Sequence, residues 1–95
     1  MKFEWDLGRA HLNRIKHKVS FELASTIFDD PLHLSIPDPE WRGEERWITI
    51  GMAVNQKIIV VVHMDKIITE EKEIIRIISA RKASRLERRQ YEEGI

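Results

Sequence analysis

The sequence predicts an α+β domain, in which an antiparallel sheet carries two N-terminal helices on one face and a C-terminal helix at its side. Apolar residues of the first third repeat at helical spacing, whereas those from 32 to 79 largely alternate with a period of two. Ser84 and Glu87 then form a capping-box pattern that predicts the start of the last helix. Because 95 residues build one hydrophobic core, we expect a single domain over 1–95.

The N-terminal third reads as a short strand followed by two helices. The KFEWD segment alternates like a strand, and the helix after it spans about Leu7 to His17. Leu12 and Ile15 share one side of this helix, so we expect them to face the core. Ser20 caps a second helix of about 21–29, which ends before Pro31 because the residue preceding proline avoids the α region.

The rest of the chain reads as four strands and a helix. LHLSI alternates and precedes a loop rich in proline and acids. RWITIGMAV and KIIVVVHMD form a predicted hairpin joined at Asn55-Gln56, where asparagine tolerates the positive φ that such a turn needs. The last strand spans about Glu73 to Ser79, and the closing helix starts at Ser84.

Charge is balanced in number but clustered in position. Lys plus Arg and Asp plus Glu each total 16, for a formal net charge of zero. Two basic segments, Arg9–Lys18 and Arg76–Arg89, flank a mostly acidic middle. Clustered arginines repel one another and add little core, so they indicate a polyanionic partner, most often nucleic acid. The pattern predicts a domain with one cationic face.

Several classes of function are disfavoured by composition. The chain has no cysteine, which excludes disulfides, thiolate nucleophiles and Cys-ligated zinc. Its four histidines lack the spacing of metal ligands, so we expect no metal and no cofactor. No signal-peptide pattern and no apolar run of about 18 residues occurs, which predicts a cytoplasmic protein without membrane contact.

Three stretches resemble the BrnT family of toxins. WDLGRAHLNRIKHKVSFELASTIFDDP is similar to that family's W-D, Asn, K-H-G and V-S-F-x-x-A features. GEERWITIGM and IRIISARKASRLERRQYE resemble its G-E-x-R…I-G and R-I-I-S-A-R-K-A…E-R…Y blocks. Lys18 stands where the family usually has glycine, so a left-handed turn there would cost about 1 kcal/mol or more.

The resemblance implies a RelE-like fold and a ribonuclease toxin of a type II toxin–antitoxin pair. It also implies RNA as the substrate and a BrnA-like, DNA-binding antitoxin encoded beside the toxin, so that DNA would be contacted only through the antitoxin complex. A catalytically inactive RelE-like module that keeps its antitoxin or nucleic-acid contacts is the alternative interpretation. Growth arrest on induced expression distinguishes the two.

Metal-free RNA cleavage needs a proton acceptor, a proton donor and cations at the phosphate. Arginine binds phosphate with a planar, permanently charged fork, so Arg76 and Arg81 are the candidates for that role. Lys16 and His17 are candidates for RNA binding or proton transfer, although cations at a helix C-terminus also stabilise its dipole. Glu45 is a candidate base or a partner for an arginine, or belongs to a solvated loop.

Further residues are predicted to contact RNA or to be structural. The predicted RNA-binding cations are Lys82, Arg85, Arg88 and Arg89. Tyr91 would stack on a base or pack against the domain. His63 alternates with apolar residues, which favours a core histidine bonded to a backbone carbonyl over a catalytic one, and Glu87 is explained first by the capping box.

Overall fold

The computed structural model describes residues 1–43 and 45–94, and it shows an α+β domain built on one five-stranded sheet. The strands lie in the order β1-β5-β4-β3-β2. In chain order, the elements are β1 (Lys2–Glu4), α1 (Leu7–His17), α2 (Phe21–Ser25), a 3-10 helix (Thr26–Asp29), β2 (Leu34–Pro37), β3 (Trp47–Met52), β4 (Ile58–Thr69), β5 (Lys72–Lys82) and α3 (Arg85–Glu93).

The sheet is mixed, and the prediction of a purely antiparallel sheet is wrong for one pair of strands. β2, β3, β4 and β5 pair antiparallel in succession, whereas β1 lies parallel to β5, with Lys2 opposite Ile74 and Glu4 opposite Arg76. Antiparallel neighbours can be joined by a tight hairpin, which fixes their direction. β1 and β5 are separated in the chain by all the other strands, so no local turn indicates the direction of β1.

The two faces of the sheet differ in cover. The helix-covered face carries the core, in which Phe21, Ala24 and Ile27 pack on side chains from the central strands. The sheet contributes Ile59, Val61, Ile75, Ile77 and Ala80 to this core. The opposite side, here called the open face, carries half-buried side chains: Ile48, Ile50, Val62, Met64, Ile74, Arg76 and Ile78. α3 borders the open face through Glu87 and Gln90.

α1 contacts the sheet through Asn13 and not through the predicted apolar stripe. Leu12 and Ile15 are 66% and 59% exposed, while Asn13 is 6% exposed. The Asn13 amide donates to the Val19 and Ala80 carbonyls at 3.0 and 2.8 Å, and its oxygen accepts from the Ala80 N–H at 3.1 Å. The helix therefore lies along the edge of β5 beyond the end of β1, where backbone groups need polar partners rather than apolar ones.

Three local features of the structure differ from the sequence prediction. The second helix is an α-helix only over Phe21–Ser25 and continues as the 3-10 helix, and β5 extends to Lys82 instead of Ser79. In the β3–β4 turn, the residue with positive φ is Gln56 at 69°, not Asn55. None of the helices in the described ranges has the length and apolarity that crossing a membrane requires.

Lys18 closes α1 in the left-handed conformation, with φ 61° and ψ 25°, and its N–H donates to the Arg14 carbonyl. This is the backbone that a glycine would adopt without strain. We expect Lys18→Gly to raise the free energy of unfolding by about 1 kcal/mol, measured by urea denaturation. Lys16→Gly, inside the same helix, should lower it by about 1 kcal/mol. Equal destabilisation by both changes would contradict the argument.

Candidate functional site

Arg81 lies near the end of β5 and forms a fork-to-fork ion pair with Glu87 of α3. Its two terminal nitrogens donate to the two carboxylate oxygens at 2.7 and 2.8 Å. Glu87 also accepts from the Ser84 N–H at 2.8 Å, so the capping box and the ion pair share one carboxylate. The hydrogen bonds from Arg81, with those from Ser84, lower the pKa of Glu87 to about 2, and the pairing raises the pKa of Arg81. The guanidinium is thereby held in one orientation, with its side chain 45% exposed.

The last turn of α1 lies beside the same end of β5. α1 starts just after β1, which ends opposite Arg76, and reaches Ala80 at Asn13. The next turn, which carries Lys16 and His17, therefore continues towards the end of β5. Lys16 is exposed and His17 is half-buried.

Lys82 and Arg85 follow Arg81 in the chain, and both are exposed. Five of the predicted residues thus belong to segments that lead to or from this end of β5, and they are here called the strand-end cluster: Lys16, His17, Arg81, Lys82 and Arg85.

Arg76 is on the open face but not beside Arg81. It lies in the interior of the sheet, between β1 and β4, and its Nη1 is 3.7 Å from Glu4 Oε1. Lys66 Nζ is 3.9 Å from the same oxygen. Arg76 pairs with Met64 and Arg81 with Val60, four positions apart on β4, or about 13 Å at 3.3 Å per residue. The two arginines mark separate points along one face, and Arg76 has the acidic partner expected of a structural residue.

Glu45 lies in the loop before β3, away from the strand-end cluster. Its side chain is exposed. The neighbouring Arg46 is paired instead with Asp38 at 3.5 Å, and its guanidinium lies 4.5 Å from the ring centre of Trp41. Glu44 lies outside the described residues. The structure therefore does not bring Glu45 together with the other predicted catalytic residues.

α3 separates its predicted RNA-binding residues into two groups. Arg88 and Arg89 are exposed together on its outer side. Tyr91 is 8% exposed, and its hydroxyl donates to Asp30 Oδ2, while burial and Asp30 raise its pKa to about 12. Its ring is part of the interior and is not available to stack on a base, so the packing alternative describes Tyr91.

The prediction of a single cationic face also needs correction. Arg76 and Arg81 point to the open face. α1 instead runs along the β5 edge, and only its inward-facing residues contact the helix-covered face of the sheet. The two basic segments meet only at the strand-end cluster. Elsewhere they form separate surfaces, because alternation in β5 and helical rotation in α1 turn their side chains in different directions.

His63 belongs to a series of hydrogen-bonded side chains that the sequence did not reveal, in which His63 and Thr49 are buried and the two end residues are exposed. Its Nε2 is 2.6 Å from Thr49 Oγ1, which lies 2.7 Å from Ser35 Oγ, and its Nδ1 is 2.7 Å from Asp65 Oδ1. The expected backbone carbonyl is thus replaced by a hydroxyl and a carboxylate. Burial lowers the pKa of His63, against the opposing effect of Asp65. The only sequence signal was the shared alternation of these residues, since cross-strand register decides which of them meet.

The described residues contain no evident metal site. Across residues 1–43 and 45–94, no three His, Cys, Asp or Glu side chains lie close enough together to hold a metal ion. The strand-end cluster offers one arginine held by an ion pair, Arg81, together with exposed cations and a histidine.

Comparison with known proteins identifies the class to which this fold and site belong. Residues 5–87 match the family described as the ribonuclease toxin, BrnT, of type II toxin–antitoxin systems. The fold is similar to the 1.1 Å crystal structure of the Brucella abortus ribonuclease toxin BrnT, with 28% sequence identity and a TM-score of 0.65 over 90% of this chain and 99% of that chain. No curated protein matches the sequence.

The chain therefore belongs to the BrnT family of ribonuclease toxins. Membership supports endoribonuclease activity and implies an RNA substrate and an antitoxin partner.

The ion pair between Arg81 and Glu87 predicts a specific dependence of stability on pH. The folded pKa of about 2 lies below the ordinary value of 4.5, so this stabilisation is complete above about pH 4.5 and is lost as the pH falls towards 2. After allowance for the exposure of Arg81, Glu87→Gln should lower the free energy of unfolding by about 1 kcal/mol at pH 7 and by almost nothing near pH 2.

Urea denaturation from pH 7 to 2 measures this difference. Glu92→Gln, an exposed change on the same helix, is the control and should alter stability little at any pH. A Glu87→Gln effect that stays constant down to pH 2 would show that the ion pair is not its cause.

Proposed function

We propose that this chain is a metal-independent endoribonuclease whose reacting phosphate binds at the strand-end cluster. The observation that carries the proposal is the Arg81–Glu87 pair, which holds a guanidinium in one orientation near the end of β5. An arginine fixed in advance stabilises developing phosphate charge without reorganising during the reaction. The pair occupies one N–H of each terminal nitrogen, and Nη1 also donates to the Lys82 carbonyl at 3.4 Å, so the donors offered to the phosphate oxygens are the N–H of Nε and the second N–H of Nη2.

The proposed reaction uses the RNA's own 2′-hydroxyl as nucleophile. The 2′-oxygen forms a bond to the adjacent phosphorus while its proton passes to a base, and the bond from phosphorus to the 5′-oxygen breaks as that oxygen takes up a proton. The products are a 2′,3′-cyclic phosphate and a 5′-hydroxyl. His17 is the proposed proton carrier, since imidazole exchanges protons near neutral pH, and Lys16 neutralises phosphate charge beside it.

The other candidates are assigned by their distance from this centre. Arg76, about 13 Å along β5, is proposed to hold a flanking phosphate rather than the reacting one. Lys82, Arg85, Arg88 and Arg89 are proposed to contact the RNA backbone by charge. Glu45 is proposed only as a contact of RNA that extends past the open face.

The proposal includes the antitoxin and the wider fold relationship. We expect a BrnA-like, DNA-binding antitoxin, so that DNA meets this chain only through the complex, and we expect the sheet to share the RelE arrangement. Both expectations follow from the family resemblance. Purification of the protein with the product of the adjacent reading frame, followed by DNA binding with and without that product, tests the first of them.

The first functional prediction concerns metal. We expect the purified protein to cleave RNA at the same rate in EDTA as in magnesium, because cationic side chains supply the charge stabilisation. Single-turnover cleavage of a labelled RNA measures the rate, and the end groups identify the cyclic phosphate. Loss of cleavage in EDTA with recovery on adding magnesium would overturn the metal-free mechanism.

The second prediction compares three arginines. Arg81→Lys should reduce the cleavage rate by about 10²–10³, because a lysine cannot reproduce the fork that binds both Glu87 and phosphate. Arg76→Lys should cost about tenfold or less, and Arg88→Lys should be nearly silent, since a solvated phosphate contact needs charge more than geometry. Growth arrest on induction and in-vitro cleavage both report the difference, with thermal unfolding as the control for folding.

One outcome would change the proposed position of the reacting phosphate, and another would show that the chain is not a ribonuclease. If Arg76→Lys is more damaging than Arg81→Lys, the reacting phosphate lies at Arg76, in the middle of β5. If the unmodified chain neither cleaves RNA nor arrests growth but still binds its antitoxin, the alternative of an inactive binding module is correct.

A further inference from the structure

The outer side of α1 is an exposed apolar ridge. Leu7, Leu12 and Ile15 are 81%, 66% and 59% exposed, although an 11-residue helix of this kind would ordinarily bury such side chains. Leu12 and Ile15, three residues apart, lie on the same side of the helix, opposite Asn13, which faces β5. Beside them, His11, Arg14, Ile15 and Lys18 line an open cleft of about 510 Å³.

Cations flank this ridge on both sides. Helical rotation puts Arg9 and Lys16 along one border and Arg14 along the other, where Lys18, just past the helix end, lines the same cleft as Arg14. The helix contains no Asp or Glu, and the carboxylate of Asp6 at its start accepts from the Arg9 N–H. Within the described residues, no carboxylate lies within 4.0 Å of these four cations. Glu22 is the nearby acid, in a smaller cleft beside His11 and Arg14.

This combination fits one kind of partner better than others. RNA would use the four cations but gains little from Leu12 and Ile15, which carry no hydrogen-bonding groups and no aromatic ring. An amphipathic helix with aliphatic anchors at i and i+3 or i+4 and acidic residues on either side matches both parts of the surface. Leu12 and Ile15 form the ridge, and α1 as a whole is about 16 Å long at 1.5 Å per residue, which suits a partner helix of about three turns.

We propose that the α1 ridge is the docking surface for an acidic amphipathic helix of the antitoxin. This inference rests on the proposed toxin function and adds the position and the chemistry of the contact. Lys16 belongs both to the border of the ridge and to the strand-end cluster. A partner helix whose acids cover Lys16 occupies the edge of the RNA surface, which couples docking to inhibition.

The experiment uses the full chain and the product of the adjacent reading frame as the probe. Leu12→Glu places a negative charge in the centre of the ridge, and it should weaken binding about 30-fold or more, as loss of a central anchor does. Leu32→Glu is the matched control, because Leu32 is an equally exposed leucine, at 68%, just before β2 at the opposite edge of the sheet. It should bind like the unmodified chain.

Affinity is measured by calorimetry, and RNA cleavage is measured in parallel. The expected result is that Leu12→Glu still cleaves RNA and arrests growth but is no longer neutralised by the adjacent product. Circular dichroism checks the fold, and Arg14→Glu, which leaves the ridge apolar, should weaken binding more at low salt than at high salt.

Three results would overturn the inference, and they are distinguishable. If the unmodified chain binds the product and Leu12→Glu binds equally well, the docking surface lies elsewhere while the toxin function stands. If Leu12→Glu loses RNA binding and keeps the protein partner, the ridge is a nucleic-acid surface. If the unmodified chain binds no such product and neither cleaves RNA nor arrests growth, the proposed function fails together with this inference.

Discussion

The hydrogen bonds of Asn13 position much of what this protein presents to its partners. Beyond the end of β1, the N–H and C=O of Ala80 would be left at an open sheet edge, and Asn13 supplies a donor and an acceptor to them. The same side chain holds the Val19 carbonyl and with it the turn after α1. Each buried group left without a partner would cost about 1–3 kcal/mol. One polar residue thus aligns α1 with β5 and directs the helical turn that carries Lys16 and His17 towards the end of that strand.

The pairing of charges explains how a neutral chain presents cationic surfaces. Glu87 and Glu4 are each committed to an arginine on the sheet, where they orient the guanidinium groups. Other acids serve the backbone: Asp6 caps α1, and Asp30 accepts from the Leu32 and Met52 N–H groups. Within the described residues, none of these acids forms an ion pair within 4.0 Å of the outer cations of α1. Net charge is therefore a poor guide to this surface, because it counts acids that are occupied within the fold.

Local signals predicted the elements well, and long-range contacts account for the rest. The bounds of α1, the β3–β4 hairpin and the Ser84 cap are decided by neighbouring residues, so the sequence contains them directly. The direction of β1, the exposure of Leu12 and the burial of Asn13 depend on which edge of the sheet a helix meets. Helical periodicity reports that a helix has an apolar side but not whether that side faces this domain or another molecule.

Of the candidate site, the residue types were predictable but their grouping was not. Arginine at positions 76 and 81 suggested phosphate binding, yet only the register of β5 shows that they lie four positions of β4 apart. The Arg81–Glu87 pair joins the end of a strand to a helix that the capping box alone seemed to explain. The series of side-chain hydrogen bonds from Ser35 to Asp65 likewise depends on three neighbouring strands, and no single strand shows a sequence pattern for it.

The parallel pairing of β1 with β5 has a consequence for how the protein is made. Lys2 pairs with Ile74, so β1 cannot join the sheet until β5 has also been synthesised. Contacts between such distant residues form slowly, because a large loop must close before they stabilise anything. The edge that positions α1, and Arg81 itself, are also absent until β5 emerges. A nascent chain therefore lacks the proposed RNA-binding centre until the residues of β5 have been synthesised.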